Sequence, residues 1–108
     1  MDPINADAAK IIRKARELIA DPDDWSSLGT GSAFHPSTKG TRCPVVALAH
    51  AVNLTRSNAA VYNVAYKTVH QLLVDRGHIG TIGGWNDTPG RTHDEVIALL
   101  TEAERCLS

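Results

Sequence analysis

A chain of 108 residues with 43% hydrophobic and 21% charged residues and a formal net charge of −1 has the size and make-up of one globular domain, expected to span 1–108. That balance excludes a global field that would draw nucleic acid or an anionic membrane. No apolar run nears the roughly 20 residues that cross a bilayer, so no membrane partner is expected.

The charge is uneven along the chain. Residues 1–41 carry five Lys/Arg against six Asp/Glu, residues 42–76 four against one, and residues 77–108 two against five. The middle is the basic part. Two cysteines, Cys43 and Cys106, are too few for a disulfide scaffold. The acidic start Met1-Asp2-Pro3 lacks the basic-then-apolar pattern of a signal peptide. The expectation is a soluble, cytoplasmic protein with both thiols free, a bridge between Cys43 and Cys106 being the alternative. Aromatic residues are scarce, so the core must rest on Ala, Val, Ile and Leu.

The first helix is expected over 5–20, where Ala8, Ile11, Ile12, Ala15, Leu18 and Ile19 form one stripe at helical spacing. Asp21-Pro22 stops it, and Trp25 follows. Residues 26–42, rich in Ser, Thr and Gly, read as a long loop with a short strand near Ala33 and Phe34. A second helix starts at Cys43-Pro44, because Pro suits the first helical position, and stops at Asn53. The third runs over 57–76 on the stripe Val61, Val64, Ala65, Val69, Leu72 and Leu73, with Gly77 as its C-terminal cap. Residues 77–84 hold four glycines and read as irregular or briefly extended. The last helix begins at Thr92, whose spacing to Glu95 makes a capping box. Val96, Leu99, Leu100, Ala103 and Leu107 face inward.

The most distinctive string is Trp85-Asn86-Asp87-Thr88-Pro89-Gly90-Arg91-Thr92. Mechanically, Pro-Gly suits a type II turn, because Gly supplies the positive φ that turn demands. Trp85 would be a buried anchor whose indole N–H finds an acceptor. The functional alternative has Asn86, Asp87 and Arg91 converging on a ligand as binding residues. The mechanical reading is preferred: a rigid corner that introduces the final helix.

This string, followed by an acidic pair and an amphipathic helix, resembles the C-terminal signature of domain of unknown function family 6197. An opening helix followed by Trp25, and Cys43 before a small-apolar helix, fit the same pattern. The resemblance implies kinship with short, uncharacterised bacterial and phage-associated proteins and implies no activity.

Cys43 is the best candidate for chemistry. A thiol at a helix start next to Arg42 favours its thiolate, and His93 at the start of the last helix is the most plausible base, with Asn86 or Asp87 to orient it. The plain alternative is a small buried residue opening a helix. His35, His50, His70, His78 and His93 show no i, i+4 pair and there is no Cys-x-x-Cys, so neither metal nor cofactor is expected.

The basic middle admits another reading. Residues 46–64, from Val46 to Val64, resemble a helix-turn-helix with Ala49 at the tight contact and Asn53 at the turn. Arg56, Asn58 and Tyr62 would then be the nucleic-acid candidates. Packing of a helical hairpin explains the same pattern, and four cations are few for phosphate binding.

The sequence thus predicts a mainly α protein, a compact bundle of about four helices with one long polar loop and a Gly-rich connection. The leading functional expectation is a non-catalytic interaction or accessory protein whose partner is another protein or a second copy of itself. A helix-turn-helix DNA-binding module and a small thiol enzyme using Cys43 are the alternatives.

Overall fold

The architecture comes from a computed structural model that describes residues 3–26 and 43–108. Its helices are α1 (Pro3–Leu18), α2 (Pro44–Leu54), α3 (Ala59–Asp75), the short α4 (Ile82–Asn86) and α5 (His93–Leu107), with one 3-10 turn, Pro22–Asp24, after α1. The mainly helical bundle expected from the stripes is what the chain forms. The strand expected near Ala33 and Phe34, and most of the expected loop, lie outside the described residues.

Helix α1 is central and packs against α2, α3 and α5. Its stripe does this: Ala8, Ile11, Ile12, Ala15 and Ile19 are fully buried. Small residues suit the packing of α1 and α2: Ala8, Ala9 and Ala15 are buried on α1, and Ala47, Leu48 and Ala51 on α2. Ala65, Val69 and Leu73 from α3 and Val96, Leu99, Leu100 and Ala103 from α5 close the same core cluster. Each buried Val, Leu or Ile side chain contributes about 1.5–3 kcal/mol, which offsets the entropy of ordering it.

The polar flanks stitch the same helices together. Glu104 on α5 accepts from Arg13 Nε at 2.8 Å and pairs with Arg16 Nη1 at 2.6 Å, both from α1. Burial alone would push the Glu104 carboxyl up. The Arg13 hydrogen bond and the Arg16 charge outweigh it and hold the group below the ordinary carboxylate range. Arg76, at the end of α3, pairs with Glu102 on α5.

The ends of the helices depart from expectation in instructive ways. Asn58 precedes α3, because its side chain accepts the Val61 N–H at 3.1 Å as an N-cap. Gly77 caps α3 as expected: its φ is +87°, and the His78 and Gly77 N–H groups return to the carbonyls of Leu73 and Val74, both at 2.9 Å. The expected stop at Asn53 is corrected. Helix α2 runs through Leu54, and Thr55 Oγ1 donates to the Ala51 carbonyl at 2.7 Å. The left-handed residue is Arg56, with φ +54°, and Ser57 N–H closes the turn on the Val52 carbonyl at 2.9 Å.

The Gly-rich connection is also corrected in part. Residues 77–81 are irregular, but 82–86 form α4. Two glycines in five residues disfavour a helix. Burial of Ile82 and Trp85 outweighs that, and Thr81 Oγ1 accepts the Gly84 N–H at 2.9 Å to start it.

Candidate functional site

The distinctive octapeptide forms the corner between α4 and α5. Trp85 and Asn86 end α4, and the backbone then turns at 88–91. The Arg91 N–H donates to the Thr88 carbonyl at 3.0 Å, and Gly90 holds φ +86° at the third position of the turn. This is the type II geometry that Pro89-Gly90 predicts. Thr92 then caps α5 through the full capping box: its Oγ1 accepts Glu95 N–H and its own N–H donates to Glu95 Oε1 at 2.8 Å. These bonds from the Thr92 backbone and side chain, helped by Arg91, hold the Glu95 carboxyl below the usual range.

Trp85 and Asn86, at the base of the corner, are buried in the protein. Asn86 is fully buried. Its Oδ1 accepts the Trp25 indole N–H at 2.7 Å, and its Nδ2 donates to the Ser26 carbonyl at 2.9 Å and to Asp87 Oδ1 at 3.2 Å. The indole hydrogen bond expected of Trp85 is therefore Trp25's. Trp85 is buried as expected, and its ring lies 3.9 Å under the Arg91 guanidinium carbon. Arg91 Nε donates to the Trp85 carbonyl at 2.9 Å and Nη1 to Glu95 Oε2 at 3.0 Å.

His93 belongs to the same junction. Its Nε2 donates to the Ile19 carbonyl at 2.6 Å, just past the end of α1, and its ring lies 6.0 Å from that of Trp25. A bare carbonyl can only accept, so the Nε2 atom carries the proton. Cys43 stands elsewhere, at the N-cap of α2, with no side-chain capping bond. Its neighbour is Tyr62, whose phenol is pushed above the usual tyrosine range by burial first, then by Tyr66 and by Cys43. No hydrogen bond among the described residues joins Cys43 to His93. Both Cys43 and Cys106 are free thiols.

A model of a family of unknown function, DUF6197, matches residues 3–105, nearly the whole chain. The chain belongs to that family. No curated protein and no solved structure matches it. The family carries no assigned chemistry, so the residues themselves must supply any functional argument.

The three nucleic-acid candidates are separated in role. Asn58 holds the α3 cap, and Tyr62 packs half-buried against the core with its ring 6.0 Å from that of Tyr66. Arg56 is exposed on the turn and makes no ion pair among the described residues. Among the described residues no group of three His, Cys, Asp or Glu could hold a metal ion, and no described helix is long and apolar enough to cross a membrane. Sequence reasoning missed Trp25 and Ser26 as partners of Asn86. Some 60 residues separate them, and no local pattern connects positions so far apart.

Proposed function

We propose that this protein is a non-catalytic interaction protein, and that the corner between α4 and α5 is a rigid platform for a partner. The observation that supports this reading is where the polar groups of the corner go. Asn86, Arg91 and His93 aim at Trp25, Ser26, Glu95 and the carbonyls of Trp85 and Ile19, all within the chain. A catalytic arrangement needs a nucleophile within hydrogen-bond reach of a base. His93 is joined to Cys43 by no hydrogen bond among the described residues, and its Nε2–H is directed at the Ile19 carbonyl. The tip, Thr88, Pro89 and Gly90, is exposed above this fixed base, with Asp87 and Arg91 at its rim. A preformed surface of this kind loses little entropy when a partner docks.

The partner is another protein or a second copy of this chain. Sedimentation velocity across a range of concentrations separates the two: a mass rising from 11.6 kDa towards twice that value assigns the second copy. The thiol-enzyme alternative is tested by assaying ester, thioester and amide hydrolysis and transfer with the native protein and with Cys43→Ala. The expected result is no turnover in either. A turnover lost in a Cys43→Ala protein that still melts as the native one does would overturn the interaction reading.

A further inference from the structure

A hollow of about 240 Å³ lies away from the corner, where the first half of α1 faces the α2–α3 turn and the start of α3. Asp7 and Lys10 come from α1, Arg56, Ser57 and Asn58 from the turn, and Val61 from α3.

Two cations and one carboxylate line this space. Among the described Lys and Arg side chains, Arg13, Lys14, Arg16, Arg76 and Arg91 sit in ion pairs, and Lys67 and Arg105, outside the hollow, do not. Lys10 and Arg56 make none among the described residues, and neither does Asp7 on the same wall. Two cations against one carboxylate leave the lining with a formal charge of +1, which favours an anion there. The turn that carries Arg56 is fixed at both sides by the Thr55 and Ser57 bonds to α2 and by the Asn58 cap on α3. Arg56 itself occupies a left-handed position, φ +54°, that favours glycine. Arg56 is thus kept on the edge of the hollow in a backbone conformation that costs a side chain. Strain of this kind, once observed, motivates a functional reading.

We propose that the hollow binds a small phosphate ester that carries hydroxyl groups, of the sugar-phosphate class. The guanidinium fork of Arg56 and the ammonium of Lys10 take the phosphate oxygens, with the Ser57 hydroxyl as a further donor. Asp7, as a carboxylate, accepts from the ligand's hydroxyls. Val61 gives the carbon skeleton an apolar surface. This site is independent of the corner and goes beyond the interaction reading.

The test is an amide-resolved NMR titration of the whole chain with ribose 5-phosphate, with inorganic phosphate, ribose and a short DNA duplex as separate arms. Ribose 5-phosphate should shift the amides of 7–10 and 55–61 saturably, with a dissociation constant of about 1 mM or tighter. Ribose alone should leave those amides unmoved, and inorganic phosphate should bind more weakly. Lys10→Ala and Arg56→Gly should each weaken ribose 5-phosphate about tenfold, the loss of one charge-assisted contact. Asp7→Asn should weaken ribose 5-phosphate while leaving inorganic phosphate as strong as before or stronger. The Arg56→Gly chain should also melt higher than the native one, which separates lost binding from lost folding. No saturable shift with ribose 5-phosphate, equal binding by Arg56→Gly, or binding of the duplex without the sugar phosphate would each overturn the proposal.

Discussion

The two polar junctions of this protein use their side chains in opposite ways. At the corner between α4 and α5, Asn86, Arg91, Thr92 and His93 all bond to the chain itself, so polarity there holds helices in place. At the turn between α2 and α3, Asn58 and Thr55 secure the backbone, but Arg56 lines a hollow with Lys10 and Asp7 and makes no ion pair among the described residues. The helix ends sharpen the contrast. Helices α2 and α3 close with the same hydrogen-bond pattern, yet the left-handed position holds Gly77 in one and Arg56 in the other. Gly77 suits the backbone, and an added Cβ there would meet nothing within 4 Å, so its conformation alone explains the residue. Arg56 does not suit the backbone, and the anion site proposed for the hollow gives its side chain a use there.

If the corner is a structural joint, its loss should be the most damaging change. Trp85→Ala should cost about 3–5 kcal/mol by removing a buried ring, read from denaturant unfolding. An unchanged midpoint would mean the ring contributes little, and the contrast would fail. Asn86→Ala should cost about 1–3 kcal/mol, because it leaves the Trp25 indole N–H and the Ser26 carbonyl without their partner. Trp25 fluorescence should report the same change.

Smaller effects test the helix ends. Thr92→Ala should cost about 1 kcal/mol by removing the cap of α5. Gly77→Ala should cost roughly 1 kcal/mol, because it puts a Cβ into a left-handed conformation. Arg56→Gly should do the reverse and stabilise by about 0.5 kcal/mol, the relief of strain less the added freedom of the unfolded chain. Opposite signs for the last two, in one thermal melting series, would establish that the two ends carry different residues for different reasons.

Acid should have the mildest effect. Glu95 and Glu104 are held below their ordinary values in the folded chain, by the Thr92 cap and by Arg13 and Arg16 respectively. Their contribution is complete above the unfolded carboxylate value, about pH 4.3, and is lost as pH falls through the lowered folded values. The melting temperature should therefore be flat above about pH 5 and fall below it. Glu104→Gln should shallow that fall.

Local signals in the sequence were legible where one element suffices. The stripes of α1, α3 and α5 placed their buried faces correctly, from Ile12 to Val69 to Leu100. The capping box of Thr92 and Glu95, the Gly77 cap and the turn at Gly90 were readable for the same reason: each is decided by residues within one or two turns of chain. Helix α4 was not, because Gly83 and Gly84 argue against a helix and the burial of Ile82 and Trp85 argues for it more strongly.

By itself the sequence determined which faces are apolar, the Thr92 and Gly77 caps and that the chain is mainly helical, because those depend on periodicity and near-neighbour hydrogen bonds. Tertiary structure alone decided that Asn86 meets Trp25, that His93 meets Ile19, and that Lys10 and Arg56 share a hollow. Those pairings join residues some 46 to 74 positions apart, and only the packing of α1 against the other helices brings them within reach.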